Sequence, residues 1–457
     1  MLAATSTAQS PGAVAPSFGV TTYPGSGGTT YLYGAATADF DNDGDADLVA
    51  SSTFQGALVY LNNGSGTFGA FTAYPAGAMP SSVATDDFDN DGDADLVVTS
   101  FSGVNNVSIL LGNGAGAFGA PAGMAAGSTP SDVTTGDFNG DGNADVAVSN
   151  RQSNNVSVFL GTGTGSFGAA TNYAVDSNPR ALRTGDFDGN GILDLAVACT
   201  SGQDVAILLG TGTGTFGAAT LFTTIDASVP GGVDPWGLTV ADLNNDGNDD
   251  VATANTGFND ISILLGNGLG ALGNPTVVAS GPRPKGIAAV DLNADGFLDL
   301  AVANSNASFP NQLAVHVGDG IGGFGTAQFF NLGSLANSPK SITVADYDGN
   351  GQPDLGIANQ FGGPISIALN QAAIPTTLTI TGAEWTNVNG VYTRSGFTIN
   401  GRPVYQSGDN IVYWTGSYWN VHDDDEQRHT SSTNTLYPPL GSWLIMPSNA
   451  PSSLQAN

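Results

Sequence analysis

The chain has 457 residues, of which 65 are glycine, 40% are hydrophobic and only 11% are charged. This composition fits many short strands joined by tight turns and excludes a disordered chain. Nine Lys plus Arg against 40 Asp plus Glu leave a formal charge of -31, which repels a nucleic-acid backbone or an anionic membrane surface.

No apolar run approaches the ~18 residues of a membrane helix, so no membrane insertion is expected. The one cysteine, Cys199, rules out an internal disulfide framework and, lying in the apolar run from Leu195, reads as a buried strand thiol.

In chain order, residues 1–15 read as an N-terminal tail, without the basic start and apolar core of an export signal. An aspartate-rich loop opens at Asp39, and its pattern recurs at Asp87, Asp137, Asp186, Asp242, Asp291 and Asp346, at steps of 48, 50, 49, 56, 49 and 55 residues. That period is the length of one four-stranded propeller blade. The third unit shows the order within each. The loop runs from Asp137 to Asp145, Val146 begins one strand and Asn155 another, and Gly161 to Gly165 supply a hairpin before Ser166-Phe167-Gly168. Ser17-Phe18-Gly19 resembles the segment after that hairpin but precedes the first loop, and the last unit stops at Leu369 without one. Residues 17–24 are therefore expected to add the outermost strand to the last blade, which closes the ring and leaves no free sheet edge.

Each loop fits Asp-x-[Asp/Asn]-x-[Asp/Asn]-Gly-x-x-Asp, a spacing that turns alternate oxygens toward one centre while glycine permits the bend. The expected ligands of the first loop are the side chains of Asp39, Asp41, Asp43 and Asp47, with the carbonyl of Asp45. The second loop offers Asp87, Asp89, Asp91 and Asp95 with Asp93, and the third Asp137, Asn139, Asp141 and Asp145 with Asn143. The fourth offers Asp186, Asp188, Asn190 and Asp194 with Ile192, and the fifth Asp242, Asn244, Asp246 and Asp250 with Asn248. The sixth and seventh offer Asp291, Asn293, Asp295 and Asp299 with Phe297, then Asp346, Asp348, Asn350 and Asp354 with Gln352. Oxygen-only donors select Ca2+, about seven ions at one per blade, and the two all-carboxylate loops should bind most tightly. An EF-hand is excluded, because the twelfth position of the first loop is Ala50 and a strand follows the ninth residue directly.

These loops, with Phe68-Gly69, Phe118-Gly119, Phe167-Gly168, Phe216-Gly217 and Phe324-Gly325, resemble FG-GAP repeats, also called VCBS-type repeats, which build the integrin α-subunit propeller; Leu272-Gly273 departs in one unit. The resemblance covers roughly residues 16–372 and implies a calcium-stabilised platform. The family hosts adhesion receptors, lectins and accessory parts of secreted proteins, and no adhesion residues carry over.

Two insertions, Thr223 to Trp236 and Asn304 to Gln312, are natural places for recognition. Trp236, the one Trp within the repeats, is expected to wedge a blade junction, with ligand stacking as the alternative. After Pro375 the composition shifts, and Trp385, Trp414, Trp419 and Trp443 mark residues 373–457 as a small aromatic-rich β module. The fold expected is all-β, a seven-bladed β-propeller over 16–372 with a small C-terminal β-rich domain. The expected role is an extracellular or cell-surface binding module for a glycan or extracellular protein, not an enzyme. The alternatives are a subunit of an extracellular fibre or surface layer, polymerising through the C-terminal domain or N-terminal tail, and an accessory domain of a polysaccharide-active enzyme.

Overall fold

The computed structural model describes residues 15–24, 31–104, 106–225, 234–306, 313–333 and 336–371 in full, and the strands between 377 and 422 as backbone. All regular structure among these residues is β-strand. Seven antiparallel four-stranded sheets succeed one another as blades. Blade three shows the plan, with strands Pro130–Gly136, Asp145–Asn150, Asn155–Phe159 and Thr171–Ala174 and partners Val133↔Val148, Val148↔Ser157 and Ser157↔Asn172. Its second strand is buried at every position, whereas its fourth is mostly exposed. A strand covered on both faces by neighbouring blades needs no polar alternation, which is why these segments read as continuous apolar runs.

The first strands of adjacent blades pack on one another around the axis, and Leu32–Ala38 of blade one meets Pro339–Ala345 of blade seven. The seam is closed as expected. Phe18–Tyr23 pairs antiparallel with Ile365–Asn370, from Phe18↔Asn370 to Tyr23↔Ile365. The core lies between blades rather than within them: Val156 and Val158 of blade three pack with Leu182, Leu195 and Val197 of blade four, while Leu48 and Leu58 of blade one pack with Tyr347 and Ile365 across the seam. Cys199 is buried at the end of the strand Asp194–Cys199.

In five blades the innermost strand opens with a proline, Pro130, Pro179, Pro235, Pro284 or Pro339, and in blade two Pro80 is its third residue; each is followed by a register shift against the second strand. The residue after it is Ser81, Ser131, Arg180, Trp236, Lys285 or Lys340, and Tyr33 follows Leu32 in the same place in blade one. All seven line one cavity at the end of the axis. The backbones crowd together there, and a Cβ on Gly237 would overlap the Lys285 carbonyl of the next blade.

Separately, Thr377–Ile380, Gly390–Ile399, Arg402–Ser407, Asn410–Trp414 and Trp419–His422 form a five-stranded antiparallel sheet in sequential order. The tail through residue 14, the middles of both insertions (226–233 and 307–312), Trp385 and Trp443 lie outside the described residues.

Candidate metal centres

Each aspartate loop joins the innermost strand of a blade to the second. The first aspartate ties the turn together, as Asp39 does by accepting from the amides of Asp43 (3.2 Å) and Gly44 (2.9 Å); the same pair of bonds recurs at Asp87, Asp137, Asp186, Asp242 and Asp346. The sixth-position glycines hold φ between 80° and 102° in all seven loops, a region that only glycine enters freely. The fifth residue accepts from the amide of the seventh, as Asp43 does from Asp45, Asp295 from Phe297 and Asn350 from Gln352. These bonds curl the loop back onto its first aspartate.

Among the described residues, carboxylate oxygens of Asp39, Asp41 and Asp43 lie within 4.8 Å of one another, as do those of Asp87, Asp89 and Asp95, of Asp186, Asp188 and Asp194, and of Asp346, Asp348 and Asp354. These four loops carry aspartate at the third position. Where asparagine stands there, its amide donates to the fifth carboxylate: Asn139 to Asp141 (3.0 Å), Asn244 to Asp246 (3.0 Å) and Asn293 to Asp295 (3.1 Å). Those loops are compensated internally. The carboxylate triads gain no such amide from their third residue, and Oδ1 of Asp41, Asp89 and Asp188 is shielded from solvent with no hydrogen-bond donor. A buried carboxylate oxygen without a donor is costly unless a cation meets it. Burial first, and then the carboxylates of Asp43 and Asp91, push Asp41 and Asp89 above the ordinary aspartate range. The donor set and its inward geometry thus fit a hard dication.

The ninth aspartate does more than supply an oxygen. Asp47 is fully buried, accepting from the Phe40 amide on Oδ2 (2.9 Å) and the Asn62 amide on Oδ1 (2.7 Å). The same double acceptance recurs at Asp95, Asp145, Asp194, Asp250, Asp299 and Asp354. It pins the loop and the end of the third strand to the start of the second. Burial raises Asp47, Asp95, Asp194 and Asp250 to about 6 and Asp354 to about 7, the amide hydrogen bonds offsetting only part of the desolvation.

The second loop residue, unmarked in the motif, is the wedge between blades. Phe40, Phe88, Phe138 and Tyr347 each meet, edge to face at 5.4–5.5 Å, the Phe of the Phe-Gly pair in the next blade: Phe118, Phe167, Phe216 and Phe68. Their carbonyls accept from hairpin glycines of that next blade, Gly116, Gly165, Gly214 and Gly66, at 2.7–3.0 Å. The departure at Leu272 packs with Phe187, and Phe324 packs with Leu243, so each of these junctions keeps one aromatic. A recurrent large residue at position two was the available signal. Trp236, expected in that wedging role, instead stands at the mouth of the axis, because it occupies the bulged position of an innermost strand rather than a loop. The loops themselves also touch: Asn42 donates to Asp93 (2.7 Å) and Asn90 to Asn143 (2.8 Å), so two seventh-position side chains serve the neighbouring loop.

FG-GAP-like repeats match residues 39–98, 87–148, 137–197, 186–253, 242–302 and 291–357. No curated protein sequence matches the chain. In structure it is similar to the BP39L lectin from Burkholderia pseudomallei (TM-score 0.55, 16% identity, 74% of this chain and 96% of that one). It is also similar to BBS1N in complex with ARL6DN (0.54, 13%, 78% and 97%) and to a catalytically inactive virginiamycin B lyase from Staphylococcus aureus with quinupristin (0.51, 14%, 77% and 99%). At these identities the likeness is one of fold, shared by binding proteins and enzymes alike. With six overlapping matches running from the first loop into the last blade, and Phe-Gly pairs now placed at five blade junctions, the chain belongs to the FG-GAP-like repeat family.

Proposed function

We propose that this chain is a calcium-stabilised recognition module that works outside the cell, holding one ion in each aspartate loop and meeting a glycan or cell-surface protein on the opposite end of its axis. The observation that carries this reading is the inward convergence of carboxylates whose third-position oxygens are buried and unpaired in Asp41, Asp89 and Asp188. Seven Ca2+ would take the formal charge from -31 to -17. Ions bound only by the folded loops stabilise the ring by mass action. Turn-exposed loops with mixed Asp and Asn donors suit the high calcium found outside cells.

The ligand-binding end is argued from topology. An innermost strand such as Pro130–Gly136 starts at the axial mouth and ends at its aspartate loop, so its seven residues at about 3.3 Å each put the mouth roughly 20 Å from the ions. Around that mouth Phe54 and Phe361 are 64% and 42% exposed and flank Tyr31 at 6.3 and 5.5 Å between ring centres, an amphipathic aromatic surface on a rigid frame. Fold likeness to a lectin, and to a propeller seen in complex with a protein, supports a binding role.

Elemental analysis of protein dialysed against calcium buffer should return about seven ions per chain, and chelation should lower the melting temperature by on the order of 10–20 °C. Glycan-array binding by the calcium-loaded chain, reduced in Phe54→Ala and Phe361→Ala, would support a sugar ligand. An ion-free protein whose melting is indifferent to chelator would sink the calcium reading.

A further inference from the structure

Residues 15–371 hold six Lys and Arg, namely Arg151, Arg180, Arg183, Arg283, Lys285 and Lys340, in a protein of charge -31. Arg180, Lys285 and Lys340 occupy equivalent bulged positions in blades four, six and seven, so the ring brings them together although 49 to 56 residues separate each bulged residue from the next in this arc. With Trp236 and Tyr33 they line the axial cavity of about 90 Å3. The Arg180 guanidinium lies 3.5 Å from the Trp236 ring centre and Lys285 Nζ 4.7 Å; Lys340 Nζ lies 3.3 Å from the Tyr33 ring centre.

Among the described residues none of the three forms an ion pair with a carboxylate. Among the described residues the one ion pair joins Arg183 to Asp132 (2.9 Å), and Asp132 is further engaged by the Ser82 hydroxyl (2.6 Å) and the Leu182 amide (3.1 Å). Lys285 is 6% exposed and donates only a long hydrogen bond to Gln360 Oε1 (3.4 Å), while Arg180 Nε is shielded from water without an acceptor. Burial, and then the positive neighbours, push Lys285 down to about 8 and Arg180 to about 9. Aromatic faces offset part of this cost, but buried guanidinium and ammonium groups are ordinarily paired. Asp132, the carboxylate among the residues lining this cavity, is taken up by Arg183.

We infer that the axial mouth is a binding site for one oxyanion group, a carboxylate or a sulfate, carried by a small ligand. The cavity admits a single such group with a few waters rather than a threaded polymer. The unpaired Arg180 Nε–H and the two ammonium groups supply charge-assisted donors, and Trp236 and Tyr33 hold those cations in place.

The test is calorimetric titration of the full calcium-loaded chain with sodium glucuronate, sodium sulfate and neutral glucose at constant ionic strength. Saturable one-to-one binding of either anion, absent with glucose, is expected, and Lys340→Met and Arg180→Met should each weaken it by about tenfold. Glucuronate binding tighter than sulfate identifies an acidic sugar as the source of the group; sulfate alone identifies an inorganic or ester oxyanion. Lys285→Gln serves as a third variant should either of the others fail to melt cooperatively. Lack of saturation with both anions, or affinity unchanged in every folded variant, overturns the site.

Discussion

The ninth aspartate of each loop lives in two opposed environments, and pH separates them. Buried among amide donors, Asp47, Asp95, Asp194 and Asp250 hold protons up to about pH 6 and Asp354 to about 7, while the unfolded chain releases them near 3.9. A folded state that binds more protons than the unfolded one gains stability as pH falls. Chelator-treated protein should therefore melt higher at pH 5 than at pH 7, its stability falling as pH rises from about 4 through 7. With saturating calcium the sign reverses below about pH 6, because protons then compete with the ion for the same oxygens. Melting curves across pH 4.5–7.5, with and without chelator, should cross; parallel curves would show that these carboxylates do not hold the ion.

At the scale of elements, the blade junction depends on one large side chain from each side. Phe216 is 7% exposed and sits against Phe138 and Tyr173. Phe216→Ala should cost about 3–5 kcal/mol through the cavity it leaves. Phe216→Leu, which copies the natural Leu272 junction, should cost about 1 kcal/mol or less. Equal losses in denaturant titrations would argue against the wedge. The closing strand is a second element with a measurable role: without residues 1–24, Ile365–Asn370 becomes a free edge carrying unpaired amides and carbonyls. Light scattering of that truncation should reveal dimers or larger species where the full chain is smaller. The period, the loops and this closure were legible because each is written within a few residues. The junction partners were not, since Phe138 and Phe216 meet across two blades and only a recurrent bulky second position hinted at them.

For the whole molecule, charge is the dominant strain. Without divalent ions, 40 carboxylates face nine cations, and that repulsion is screened by salt. Raising sodium chloride from 0.05 to 0.5 M should increase the melting temperature of chelated protein by several degrees and that of calcium-loaded protein much less. A similar response in both would place the repulsion elsewhere than in the loops.

The sequence by itself determined the number of blades, the spacing of oxygen donors in the loops and the way the ring closes, because a repeat of local contacts repeats in the letters. Only the tertiary structure decided that Arg180, Trp236, Lys285 and Lys340 share one mouth. Along the chain they are isolated residues some fifty apart, and it is the rotation of one blade onto the next about a common axis that turns equivalent positions into neighbours.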